Sequence, residues 1–330
     1  MQTLIQNTQA YRLLKSACEN NRFSHAYLLL VDDSRNLRSI LKSFAKLFFR
    51  CDQPKTEREK TISARIDAEN FSDCLFFPDL NKKFMVEDAE KVTEESVLKP
   101  VESDKKLFVI GDFAEANSAS QNKLLKLLEE PPENIVFLLG ATSVFPLLST
   151  VLSRVERLEI LPFSPAEITS ALMRIYADKP YSLTDFQLVA AACGGSLGGA
   201  QNTLEGGDYK ELIQDAFSLC LCTGATLPPL IKKIGETKRK KELLFLIRVI
   251  LRDALVLKTI GDKTQLILRV ESEKIRQVAD KYLVSSLIFA QECVSKAEKE
   301  VFFNGYFPQC LEVLISDILL KNAKNKRKEK

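Results

Sequence analysis

The chain has 330 residues, 45% hydrophobic and 28% charged, enough to bury a sizeable core and to form two or three domains. Its formal charge is +3, but residues 321–330 hold six Lys/Arg against one Glu, so this tail carries +5 and the remainder −2; the body taken alone is not a basic nucleic-acid binder. No window approaches the ~18 uninterrupted apolar residues of a membrane span, the first residues lack a signal-peptide pattern, and the eight scattered cysteines fit reduced core thiols, so a cytoplasmic location is expected.

In chain order, residues 3–20 read as a helix and the short apolar run Ala26 to Val31 as a buried strand. Leu37, Ile40, Leu41, Phe44, Leu47 and Phe48 recur at helical spacing, predicting a helix over 37–49. Residues 51–74 are polar and read as an irregular surface excursion. A weak strand near Lys83 to Val86, a helix over Asp88 to Leu98 and a strand at Leu107 to Ile110 follow. Ser118-x-x-Gln121 has the form of a capping box for the next helix, whose Leu124, Leu125, Leu127 and Leu128 make an apolar stripe and which Pro131 ends. A further apolar run spans Ile135 to Leu139. Strands alternating with helices imply a mostly parallel sheet covered on both faces.

After Pro162 the strands stop. Ser164-Pro165-Ala166-Glu167 reads as an N-cap with proline at the first helical position, and two further short helices reach Gly206-Gly207. From Asp208 onward the pattern is long helices, clearest over Leu243 to Leu257.

The turn after the first strand tests for phosphate chemistry. A P-loop is glycine-rich so that backbone N–H groups cradle phosphates, its Lys neutralises charge, and its Ser/Thr holds magnesium. Here the turn reads Val31-Asp32-Asp33-Ser34-Arg35-Asn36-Leu37-Arg38-Ser39, with neither glycine nor lysine and with two carboxylates where phosphates would approach. Asp33 or Ser34 is expected to cap the following helix instead. Arg35 and Arg38 read as solvated surface. The strand Leu107 to Ile110 should lead to an acidic pair for magnesium and water, but Gly111-Asp112 supplies only the second carboxylate, expected to cap a turn or face solvent. Neither a nucleotide cofactor nor a bound metal is expected. His25, the one histidine, adjoins the first strand and is assigned to packing or capping.

Four pieces of the sequence carry a resemblance: Phe23-Ser24-His25-Ala26-Tyr27-Leu28, Leu124-Leu125-Lys126-Leu127-Leu128-Glu129-Glu130-Pro131-Pro132-Glu133-Asn134, Thr150-Val151-Leu152-Ser153-Arg154, and Gly194-Gly195-Ser196-Leu197. Over roughly residues 1–205 the chain resembles the delta-prime family of bacterial DNA polymerase III clamp-loader subunits. The resemblance implies an α/β fold with a degenerate AAA+ P-loop-type parallel sheet at 1–162, a small helical lid at 163–207 and an all-α collar at 208–320; the basic tail 321–330 is expected to be disordered. It implies a hetero-pentamer with clamp-loader ATPase subunits and an opener subunit, acting on the sliding clamp and, through the complex, on primed DNA.

Residue by residue, the resemblance makes Arg154 an arginine that reaches a neighbouring subunit's ATP, with Ser153 positioning it, and places Thr142 near the first nucleotide-sensing position. Without that context, Arg154 would be read as salt-bridged to Glu156 or a nearby helix. Three departures count. Only Cys51 fits the family's four-cysteine zinc site, Cys74 lying too far along; Val155 replaces the thiol of the Ser-Arg-Cys motif; and Gly198 stands where hydrolysing siblings carry a lid arginine. The chain therefore reads as a member that does not itself hydrolyse ATP. The rival readings are a working ATPase of the motor type and a regulatory adaptor outside replication.

Overall fold

The computed structural model describes residues 2–207 and 209–328 and divides into two compact units, Met1–Pro162 and Phe163–Lys330.

The first unit is built on five parallel strands, β1 (Ala26–Leu30), β2 (Cys74–Phe77), β3 (Lys106–Asp112), β4 (Ile135–Ala141) and β5 (Glu156–Glu159), in the order β2-β3-β4-β1-β5. This is the parallel α/β sheet expected. The three central strands are continuous apolar runs because both faces are covered. Side chains alternate between faces: Leu28, Phe108, Ile110, Phe137 and Leu139 join one buried cluster with residues of α5 (Val86–Ser96), α6 (Ser118–Glu129) and α7 (Ser149–Leu152). Each large apolar side chain so buried contributes roughly 2 kcal/mol relative to exposure. The opposite face meets α3 (Leu37–Phe48), which approaches so closely that a β-carbon on Gly140 would lie 2.7 Å from Leu41 Cδ1. Behind α3 pack α1 (Gln2–Gln6), α2 (Gln9–Glu19) and α4 (Glu57–Asp67).

The structure corrects several local expectations. The helix expected over 3–20 breaks at Thr8, whose side chain accepts from Tyr11 N and caps α2. Residues 51–74 are not irregular throughout: Thr56 and Glu59 form a reciprocal capping box that starts α4. The second strand lies at Cys74–Phe77, not near Lys83 to Val86; Phe84 is instead a buried loop residue and Val86 opens α5. β5, unanticipated, has one buried residue, Leu158, and is a strand because β1 offers it an open edge. Its charged flanks suit an edge strand.

The second unit is helical. Ser164 caps α8 (Pro165–Ile175) through a reciprocal box with Glu167. Next come α9 (Leu183–Ala192) and α10 (Leu197–Gly206), the latter closed by Gly207 at φ 73°, a left-handed cap that glycine adopts without strain. Asp208 lies outside the described residues. Beyond it are α11 (Tyr209–Leu221), α12 (Leu227–Ile234), α13 (Lys240–Thr259), α14 (Ser272–Lys281), α15 (Val284–Phe302) and α16 (Phe307–Lys328). α13 packs against α11, α14 and α15, and its fully buried Asp253 accepts from Leu268 N and Arg252 Nη1.

The tail differs from expectation: residues 321–328 continue α16 as helix, and Glu329 and Lys330 lie outside the described residues. Asn322 holds it, accepting from Leu283 N and donating to Lys281 O, while Asn325 donates to Ser285 and Ser286 hydroxyls. No helix among the described residues is long and apolar enough to cross a membrane.

Candidate functional site

Ligand sites of open parallel sheets form beyond the carboxyl ends of the strands, where β1, β3 and β4 deliver the turn 31–36, Asp112 and Thr142. Asp33 is buried, and its carboxylate accepts from Asn36 N at 3.0 Å and Asn36 Nδ2 at 2.9 Å. Neither Asp33 nor Ser34 is the cap of α3. Asn36 occupies that position, and Asp33 holds Asn36 from three residues upstream, so backbone and side chain close the turn on each other. Asp32 and Ser34 are exposed, as is Ser39, whose carbonyl accepts from Ser43 Oγ.

Arg38 is not solvated surface. Its Nε and Nη2 form a fork on Glu69 at 2.7 and 2.5 Å, and Nη1 donates to Pro78 O at 2.8 Å. Burial works to raise the Glu69 pKa, yet hydrogen bonds from Arg38 and Lys42 hold it below the usual carboxylate range. The guanidinium comes within 3.8 Å of the position a β-carbon on Gly111 would take. The Arg38–Glu69 pair thus lies beside Gly111.

Asp112 follows a register irregularity in β3 and is half-buried; its two oxygens accept from Thr142 N at 3.3 Å and Thr142 Oγ1 at 3.0 Å. Burial raises its pKa despite those bonds. The structure therefore brings Asp112 and Thr142 together and uses each to satisfy the other. Gly198 is buried in the first turn of α10, beside the Ser196 cap. Burial pushes the Cys51 thiol up to about 12 and Cys74 well above its ordinary value. Among the described residues no group of three or more His, Cys, Asp or Glu is placed to hold a metal.

The start of α6 also departs from expectation. The Ser118–Gln121 capping box is not formed: Asn117 caps α6 by accepting from Ser120 N, and Gln121 turns inward. Buried, Gln121 donates to Ala116 O and Pro146 O and accepts from Leu148 N, the residue that precedes α7. One amide thereby ties α6 to the start of the short helix that carries Ser153 and Arg154. Sequence pattern gave Gln121 only a capping role.

Arg154 Nη1 donates to Thr150 O at 2.6 Å and to Ser153 Oγ at 3.1 Å, and Nη2 pairs with Glu129, the last residue of α6. The carboxylate partner is thus Glu129 on the nearby helix α6, one of the two partners expected of a structural salt bridge, rather than Glu156. Ser153 touches the guanidinium through its hydroxyl, which itself donates to Thr150 O. An open cleft of about 580 Å³ is lined by Ser24, His25, Leu128, Glu129, Ser153, Arg154, Val155 and Glu156. His25 Nε2 lies 3.0 Å from Leu128 O; as donor, it satisfies one of the carbonyls that the end of α6 leaves without a helical partner. The site therefore offers a planar cation on a fixed turn, and no nucleophile with a base beside it.

Residues 6–164 match the family described as DNA polymerase III, delta subunit. The DNA polymerase III subunit tau/gamma of Haemophilus influenzae is 31% identical over 182 residues, covering 54% of this chain and 26% of that protein. The DNA polymerase III subunit delta' of Bacillus subtilis is 28% identical over 163 residues, covering 49% of this chain and 50% of that protein. The chain spans about a quarter to a half of the length of these relatives. Among solved structures, a DNA polymerase III gamma subunit-related protein from Thermotoga maritima aligns at a TM-score of 0.40 and 14% identity, covering 94% of this chain and 99% of that one.

Proposed function

Since residues 6–164 belong to the DNA polymerase III delta-subunit family, we propose that this chain is a non-hydrolysing clamp-loader subunit of the delta-prime type. It lends Arg154 to the ATP site of a neighbouring subunit while the loader places the sliding clamp on primed DNA. In this reading 163–207 is the lid, 208–320 the collar that joins ATPase and opener subunits, and Arg154 with Ser153 the working site.

The observation that carries the reading is the contrast within one sheet. The place for a nucleotide is filled by the Asp33–Asn36 and Arg38–Glu69 pairs, while Arg154 stands in an open cleft on a turn made by α7. A planar, permanently charged fork suits charge developing on a γ-phosphate. The same closed turn and cationic Arg38 oppose a working ATPase.

The test is ATP turnover of the reconstituted loader. Arg154→Ala should leave the chain folded and assembling but lower clamp-stimulated turnover roughly tenfold or more, since arginines supplied in trans contribute large factors to phosphoryl transfer. Unchanged turnover would remove the proposed role. Titration of the isolated chain with Mg-ATP should give no saturable binding; tight, magnesium-dependent saturation would restore the ATPase reading.

A further inference from the structure

The guanidinium of Arg154 is held at two edges that differ in kind. Nη1 is bound by its own turn, through Thr150 O and Ser153 Oγ; Nη2 is bound by Glu129, a carboxylate on a different element. We infer that Glu129 is a cis latch on Arg154: it occupies the Nη2 edge in the free chain and is displaced by the triphosphate of the neighbouring subunit. The latch rests on the trans role proposed above and adds a regulator to the same site.

The exchange needs little movement. With Nη1 anchored to α7, the arginine stays in place while one anionic partner replaces another, so the side chain does not have to swing from a distant rotamer. Glu129 is itself fixed. It is the final residue of α6, Pro131 prevents the helix from continuing, and His25 binds the adjacent Leu128 O. A carboxylate at a helix carboxyl end faces the negative pole of the helix dipole, and Arg154 relieves that repulsion. The cleft lining carries one guanidinium against two carboxylates, Glu129 and Glu156. While the latch is closed, the cleft is therefore a poor host for an anion.

Strength is suited to release. The Arg154 and Glu129 side chains are 31% and 45% exposed, so the pair is partly hydrated and Glu129 regains water when it lets go. Ion pairs of this exposure bias an equilibrium by about threefold. A triphosphate, with several charges and bidentate oxygens, outcompetes such a pair, whereas an empty or diphosphate-loaded neighbour does so less well. Engagement of the arginine is thereby linked to what the neighbour holds.

The experiment uses the assembled loader carrying wild-type chain, Glu129→Gln, Arg154→Ala or both, with turnover measured against ATP concentration. Glu129→Gln keeps the size of the side chain and removes its charge. It should lower the ATP concentration for half-maximal turnover by about threefold, leave kcat within about twofold, and have no effect when Arg154 is already Ala. A lower kcat or a higher half-maximal concentration would show that Glu129 positions Arg154 productively, and would overturn the latch, as would a curve identical to wild type. These outcomes leave the trans role standing if Arg154→Ala is impaired. If Arg154→Ala turns over ATP as wild type does, the trans role falls and the latch with it. Unchanged thermal unfolding of the Glu129→Gln chain controls for a folding defect.

Discussion

The two ends of the parallel sheet meet different fates. At the carboxyl ends of β1 and β3, Asp33 holds Asn36, Arg38 holds Glu69, and Asp112 holds Thr142, while Asp32, Ser34 and Ser39 stay exposed. At the amino ends, Ser24, His25, Ser153 and Arg154 line an open cleft. The difference teaches that one sheet can close the polar groups at one end on one another and leave those at the other end open. Buried polar groups need partners, so Asp33, Arg38 and Asp112 are each held by another side chain, and the frame keeps its shape. Arg154, partly exposed, carries less of that demand, because solvent can satisfy it as well as Glu129.

Substitutions at the two ends would sharpen or break this comparison. After loss of Arg154, the largest effect belongs to Gln121 in the first turn of α6. Gln121→Ala strands Ala116 O, Pro146 O and Leu148 N in a buried setting, and at roughly 1 kcal/mol per bond should destabilise the first unit by about 3 kcal/mol. Urea unfolding followed by circular dichroism would measure it; a loss below about 1 kcal/mol would show that α7 holds its place without the amide.

Asp73, just before β2, comes next. It is fully buried and accepts from Val101 N, Glu102 N, Ser103 N and Ser103 Oγ. Burial works to raise its pKa, but these donors hold it below the usual range. A depressed carboxylate contributes its stability in full above the unfolded value of about 3.9 and loses it as pH falls toward the folded value. Asp73→Asn should therefore cost about 2 kcal/mol at pH 7, and wild type and variant should converge in unfolding experiments below about pH 4.

Asp112→Asn should have the smallest effect. Its folded pKa is raised by burial, so the linkage has the opposite sign: the contribution favours folding in acid and is lost as pH rises through the carboxylate range. At pH 7 the amide removes a buried charge and can still pair with Thr142. Stability should change by no more than about 0.5 kcal/mol, with a gain more in keeping than a loss. A large loss would mean that the charge on Asp112 is needed by something beyond Thr142.

Legibility in the sequence followed burial. β1, β3 and β4 are strands covered on both faces, and their unbroken apolar runs announced them. β2 was misplaced because Cys74-Leu75-Phe76-Phe77 is only four residues long and abuts Pro78 after a polar stretch. α4 was missed although its Thr56–Glu59 box was present, since its surface is mostly polar. β5 was not visible at all: Glu156-Arg157-Leu158-Glu159 has no strand signal apart from the edge that β1 provides. Within the site, absences were plain from residue type, and Asp32, Asp33 and Gly111 stood out at once. The pairings of Arg38 and Asp112 were not, because Arg38–Glu69 spans 31 residues and Asp112–Thr142 spans 30.

The sequence by itself determined that the first unit is a parallel α/β sheet, that helices follow it, and that the phosphate turn lacks both glycine and lysine. Those are properties of residue type and local spacing, set by side-chain volume, charge and backbone freedom. Only the tertiary structure decided that Arg38 pairs with Glu69 beside Gly111, that Gln121 ties α6 to the start of α7, and that Glu129 is the carboxylate on the Nη2 edge of Arg154. Each depends on atoms distant in sequence arriving within hydrogen-bonding range, which the packing of helices on the sheet fixes.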